Sequence, residues 1–253
     1  MLRKMVLPII IVLLAVPLVV VADSTTAPVD LTAAQIVERN ISARGGLQAW
    51  RTVKTLSMSG KLDAGGKQKV QLPFVLEMER NRKTRLELQF NGQTAVQVYD
   101  GTNGWKLRPF LNRHEVESYT PDELKATALQ ADLDGPLVDY AAKGTKVELA
   151  GTEKVRDHDT YKLKLTLKNG QVQHVWVDSK TFLETRIEGT PRRLDGKMRE
   201  VSTYPSEYRS VSGLMMPHLI ETVAEGTKQA ERIQIDSVVV NPKLDDSTFA
   251  KPK

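Results

Sequence analysis

The chain has 253 residues, a formal charge of +5 and no cysteine. Without cysteine there are no disulfides, thiolate metal sites, cysteine nucleophiles or lipidated N-terminal cysteine. The mild charge, spread as bases alternating with acids, reads as a solvated face and excludes a nucleic-acid-binding surface, while the length suits a single all-β domain.

Residues 1–22 have the layout of an export signal. Leu2-Arg3-Lys4 is basic, residues 5–21 are apolar, and Val20-Val21-Ala22 offers a small-residue cleavage site. Cleavage after Ala22 would release the mature chain into the periplasm. The alternative is an uncleaved inner-membrane N-terminal anchor, because the apolar run approaches the ~18 residues that span a bilayer. Pro8, Pro17 and the abrupt polar switch at Asp23 favour the signal. Residues 23–30 read as a polar linker, and residues 31–253 as the folded domain.

A helix starts at Asp30 or Thr32, with Ile36, Val37 and Ile41 on one side and Gly45-Gly46 as its stop. A short turn over residues 47–51 carries Trp50, a core residue at a helix–sheet junction. From Val53 the apolar period becomes two. Leu56, Met58 and Leu62 mark one strand, and Val70, Leu72, Phe74, Leu76 and Met78 the next. Leu86, Leu88 and Phe90 mark a third, ending at the hairpin turn Asn91-Gly92. A further strand ends at Tyr99, and residues 105–110 lead out of the meander.

Residues 119–144 break this rhythm. Thr120 can cap a helix, Pro121 suits its first position and Glu123 can complete a capping box. Leu124, Ala128, Leu129, Leu133, Leu137, Tyr140 and Ala141 then recur at helical steps, with Gly135-Pro136 dividing the run into two short helices. Amphipathic helices inserted into a β protein must bury their apolar sides on the sheet.

Strand patterns resume over residues 146–150, 161–167, 171–178, 183–187, 198–208, 214–225 and 228–241. The fold class is mainly β (α+β). A curved antiparallel sheet, or incomplete β-barrel, of about ten to eleven strands carries a helical lid over its concave apolar face. Side-chain parity puts Leu72, Phe74, Leu76, Met78, Leu86, Leu88, Leu163 and Leu165 on that face. The space beneath the lid is the expected binding site. Leu76, Met78, Leu86, Leu88 and Trp105 line it from the sheet, and Leu129, Leu133 and Leu137 from the cover.

Catalytic motifs are not found. His114, His158, His174 and His218 are scattered without metal-type neighbours, and there is no nucleophile elbow, phosphate loop or dinucleotide fingerprint. Carboxylate pairs such as Glu77 and Glu79 read as a solvated strand face. The expectation is a monomeric binding protein with no catalytic residues, metal or cofactor.

The segment Val98-Tyr99-Asp100-Gly101-Thr102-Asn103-Gly104-Trp105-Lys106-Leu107-Arg108-Pro109-Phe110 resembles the Asp-Gly-x3-Trp-x3-Pro-Phe stretch of the LolA-like carriers, the periplasmic outer-membrane lipoprotein-sorting proteins. The helix ending in Gly45-Gly46 and the closing run from Asn241 to Phe249 extend the resemblance over residues 31–252. It implies a half-barrel that carries the acyl chains of lipoproteins or lipids, between an inner-membrane transporter and an outer-membrane acceptor. It also implies a latch role for Arg80, as the strand-end arginine that holds the cover closed. The family often has Pro after that arginine where this chain has Asn81, and Arg82 and Arg85 are rival positions. An envelope lipid-binding or stress-sensing module on the same scaffold is the second reading, and an enzyme the third.

Overall fold

In the computed structural model, which describes residues 31–63, 70–194, 197–227 and 230–253, the first helix is capped by Thr32. The expected signal and linker lie outside the described residues. Helix α1 (Ala33–Ala43) opens with a capping box, in which the Thr32 hydroxyl accepts from the Gln35 amide and the Gln35 side chain accepts from the Thr32 amide. The helix ends at Arg44 and Gly45. Gly45 has φ +108, and a Cβ there would lie 2.3 Å from the Gly213 carbonyl oxygen, so only glycine lets the helix end abut that loop. Helix α2 (Leu47–Thr52) follows, its buried Trp50 donating from Nε1 to the Arg44 carbonyl at 3.0 Å.

An antiparallel meander comes next: β1 (Thr55–Asp63), β2 (Gln71–Glu79), β3 (Lys83–Phe90), β4 (Gln93–Tyr99), β5 (Gly104–Arg108) and β6 (Arg113–Ser118). Helix α3 (Pro121–Gln130) and a run of turns over residues 131–144 then lead into β7 (Lys146–Val155), β8 (His158–Thr166), β9 (Val172–Asp178) and β10 (Glu184–Glu188). After these come β11 (Arg192–Leu194), β12 (Lys197–Arg199), β13 (Val201–Ser206), β14 (Arg209–Val211), β15 (Leu214–Met216), β16 (Leu219–Ala224) and β17 (Ala230–Val240).

Thirteen strands form one sheet in the order β6-β5-β4-β3-β2-β1-β17-β16-β13-β10-β9-β8-β7. The last strand pairs with the first at its centre and joins the two halves. Strands β6 and β7 remain separate edges, so the sheet is open and not closed into a barrel. The other four strands form the two small hairpins β11-β12 and β14-β15.

The sheet has more strands than the ten to eleven expected. Residues 198–208 and 214–225, each read as one strand, are also divided, the second at Pro217, which cannot donate to a ladder, and the pieces β12 and β15 fall in the small hairpins outside the sheet. The expected exit segment, residues 105–110, forms β5 and the turn after it, and β6 is a further strand beyond it. The insert also differs from its reading. Only α3 is helical in its first half, and the second half folds as turns, with Gly135 at φ +76 and Asp139 at φ +52 turning the backbone out of helical geometry.

Register fixes the faces. Leu56, Met78, Thr84, Tyr99 and Gly104 are successive partners across β1 to β5, and Met58, Leu76, Leu86, Gln97 and Lys106 form the neighbouring row. Leu72, Phe74 and Leu88 share this face by alternation, as the pattern predicts. Helices α1 and α2 cover it, so it is the inner face. At one end Ile36, Val37 and Leu137 pack on Leu163, Leu165, Val175 and Val177. At the centre Trp50, Leu133, Val138, Leu214 and Met216 pack on Leu56 and Met78. The outer face carries a smaller cluster, in which Phe249 of the C-terminal segment packs on Val96 and Val98.

Candidate functional site

The third part of the inner face, from the middle of β2 to β6, is built differently. Leu76, Leu86, Leu88 and Phe90 present apolar side chains that are only half-buried. Helix α3 is the element of the insert tied to the same face, at Lys106 of β5, and none of its residues is fully buried. Leu124 and Ala128 are half-buried, and Leu129 is 37% exposed. The helix has its own strong start, with the Thr120 amide donating to Glu123 at 2.8 Å and Pro121 in the first turn. Its tie to the sheet is an ion pair from Glu123 to Lys106 of β5. A capped helix whose apolar residues are only half-buried, tied to a face with a half-buried apolar strip, leaves apolar surface for a ligand to cover.

The turns that follow α3 are fastened firmly. Arg80, at the end of β2, makes a bidentate pair with the Asp134 carboxylate at 2.7 and 2.9 Å. Its remaining donors reach the carbonyls of Val53 and Trp50, both at 2.7 Å. The Asp134 bonds keep the guanidinium firmly charged, raising its pKa against the effect of partial burial. Arg44 donates to the Asp134 carbonyl at 3.0 Å and to Glu184 at 3.2 Å, with its guanidinium 4.3 Å from the centre of the Trp50 ring. Glu184 also accepts from the Tyr208 hydroxyl, whose pKa burial and that carboxylate push well up. Arg51 grips Asp139 at 2.9 and 2.6 Å, and Lys143 pairs with Asp132 at 2.7 Å. The cover therefore has a fixed part, residues 132–143, and a lightly held part, α3.

The residues expected to line a site fall into four groups. Leu76, Leu86 and Leu88 form a half-buried strip on the inner face, Leu76 also packing against the central cluster, and Leu129 lies on α3. Met78 and Leu133 meet in the central packed cluster, where they are 7% and 9% exposed. Leu137 is fully buried in the other cluster, beside α1. Trp105 is a correction: it pairs with Val98, packs with Val96, Val98 and Phe249, and so lies on the outer face. The turn at residues 100–103 sets the parity of β5 relative to β3, and β4 mixes polar and apolar residues, with Gln93 and Gln97 beside Ala95 and Tyr99 on its inner face, so the local pattern did not assign the side. Arg80 makes the contacts described above, whereas Arg82 is exposed and Arg85 pairs with Glu87 on the outer face. Lys106, Gln97, Tyr119 and Glu123 belong to the inner site and were not anticipated. The alternation that places Trp105 outside would have placed Lys106 inside, had the register been known.

A concavity of about 600 Å³ is lined by Lys61, Asp63, Gln71, Glu221, Ala230, Arg232, Gln234 and Asp236. These residues occupy the outer-face rows of β1, β2, β16 and β17, and the groove is polar, with Glu221 bridging Arg156 and Arg232. Among the described residues no three His, Cys, Asp or Glu side chains gather as a metal site. Nor does any helix among them have the length and apolarity to cross a membrane.

A family model described only as an uncharacterized protein matches residues 137–253. No curated protein matches the sequence. Solved structures do match. A LolA superfamily protein from Nitrosomonas europaea aligns at 15% identity with a TM-score of 0.56, over 87% of this chain and 98% of the other. A domain assigned to outer membrane lipoprotein sorting from Vibrio parahaemolyticus aligns at 13% identity and 0.57, over 87% and 96%. A DUF1329 family protein from Desulfovibrio piger aligns at 15% and 0.58, over 86% and 96%. This chain has the LolA-like fold, as the Asp100-to-Phe110 resemblance implied.

Proposed function

We propose that the protein is a periplasmic carrier of acyl chains of lipids or lipoproteins, which it holds between α3 and the strip Leu76, Leu86, Leu88 and Phe90. The observation that carries this reading is an apolar, half-buried strip on the same sheet face as Lys106, to which α3 is tied while none of its own residues is fully buried. The likeness in fold to a lipoprotein-sorting domain supports it. In this reading Arg80 latches the fixed part of the cover, and Leu133, Leu137 and Met78 form the floor that the latch stabilises. An inner-membrane transporter and an outer-membrane acceptor are the partners this role requires, and no bond is made or broken in the cargo.

Energetics favours a partial site. Full burial of a ~16-carbon chain at ~0.8 kcal/mol per CH₂ is worth roughly 13 kcal/mol before ordering costs, which would make release slow. A strip half open to solvent retains less of this, and apolar residues of α3 compete for the same surface. The test is extraction of lipid from protein purified out of its native envelope, followed by mass spectrometry and a titration of the stripped protein with acyl probes. Copurified acyl species and saturable probe binding are expected. Stripped protein that binds no acyl probe overturns the reading.

A further inference from the structure

Lys106 places a cation on the inner face. The residue is 9% exposed, and it ends the transverse row Leu76, Leu86, Gln97, Lys106. Two strand spacings, about 10 Å, separate it from Leu86. Its ammonium donates to Glu123 Oε1 on α3, and the Tyr119 ring centre lies 6.0 Å away. Tyr119 in turn lies against Gly104, where a Cβ would fall 2.0 Å from the ring.

The partner is much less buried than the lysine. The Glu123 side chain is 39% exposed, against 11% for Lys106. Glu123 also has a second role, since its other oxygen accepts from the Thr120 amide at 2.8 Å and completes the capping box of α3. Losing Lys106 would therefore leave the helix cap intact. A buried ammonium without a counter-charge is costly, so α3 lifts from the sheet readily only when another anion replaces Glu123.

We propose that Lys106 is the receptor for the anionic head, carboxylate or phosphate, of an acyl ligand whose tail lies along Leu86, Leu88 and Phe90, the head displacing Glu123. This rests on the acyl-binding reading and names its ligand class. Tyr119 suits the site. Burial and the Glu123 carboxylate push its phenol up to about 12, so it stays neutral beside an arriving anion.

The experiment is a titration of lipid-stripped parent, Lys106→Gln and Glu123→Gln with palmitate, hexadecyl phosphate and hexadecanol, with melting curves to confirm folding. The parent should bind an anionic probe about tenfold more tightly than hexadecanol, the scale of one partly screened charge-assisted hydrogen bond. Lys106→Gln should erase that preference with hexadecanol binding retained, and Glu123→Gln, which keeps the cap, should strengthen anionic binding. The tighter of the two anionic probes identifies a fatty-acid or a phospholipid-like head. Equal binding of all probes by the parent, or a preference that survives Lys106→Gln, overturns the proposal alone. A parent that binds none of the three overturns the acyl-binding reading and this proposal with it.

Discussion

Arg80→Ala should loosen the fixed half of the cover. The change removes four hydrogen bonds and leaves Asp134, whose side chain is 6% exposed, without its cation. Removing one partner of a buried ion pair costs about 3–5 kcal/mol. The Arg80 side chain is 35% exposed, so water can partly replace it, and the lower end, about 3 kcal/mol, is expected. For a domain of this size that corresponds to a melting temperature lower by about 6–12 °C. Arg80→Lys should recover only part of the loss, because an ammonium cannot reproduce the bidentate fork. Urea unfolding of Arg80→Ala, Asp134→Asn and the double variant gives the coupling directly, with about 2 kcal/mol expected. Hydrogen exchange in residues 131–144 should rise in parallel. A loss under about 1 kcal/mol for Arg80→Ala, or strict additivity of the two changes, would refute the latch.

Other outcomes separate packed residues from the open strip. Leu137→Ala, at a fully buried position, should cost about 2–5 kcal/mol in urea unfolding, whereas Leu88→Ser, at a half-buried one, should cost under about 1 kcal/mol and weaken acyl-probe binding instead. Gly104→Ala would drive a methyl group into the Tyr119 ring, so thermal melting should fall by the equivalent of about 1–3 kcal/mol, and an unchanged melt would mean that Tyr119 moves freely. Asp178 supplies a pH test. Burial alone would raise its carboxyl, but the Thr181 amide, His158, the Lys180 amide and the Thr181 hydroxyl outweigh burial and hold it below the ordinary aspartate range. A depressed folded pKa contributes stability that is complete above the unfolded value, about 3.9, and is lost as pH falls through the lower folded value. Stability measured downward from about pH 4 should therefore fall less steeply in Asp178→Asn than in the parent.

Local chemistry was the most legible part of the sequence. The Thr120 and Glu123 capping box formed as its spacing implied, and Asn91 and Gly92 take the positive φ values, 48 and 74, of the hairpin turn that they predict. Strand parity over β2 and β3 was readable because Leu72, Phe74, Leu76, Met78, Leu86, Leu88 and Phe90 keep a period of two, with Pro73 and Val75 the apolar exceptions on the other side. Strand β6, Arg-His-Glu-Val-Glu-Ser, was not, because an edge strand with no buried residue shows no apolar alternation. The turns after α3 carry helical spacing in Leu133, Leu137 and Tyr140, yet their geometry is set by Gly135, Pro136 and the contacts with Arg44, Arg51 and Arg80. Those are long-range partners that no local pattern reveals. Trp105 and Lys106 exchange places for a related reason, since their faces depend on how many residues the preceding turn contains.

The central claim is that acyl chains occupy the inner face beneath α3, and a spin-labelled fatty acid tests it most directly. Methyl and amide NMR signals of stripped protein would be recorded with the oxidised and the reduced label. Broadening confined to Leu76, Leu86, Leu88, Phe90, Leu124 and Leu129, with Val96, Val98 and Trp105 on the opposite face unaffected, is the predicted result. Broadening centred on those outer-face residues or on the polar groove at Lys61 and Arg232, or none at saturating probe, would contradict it.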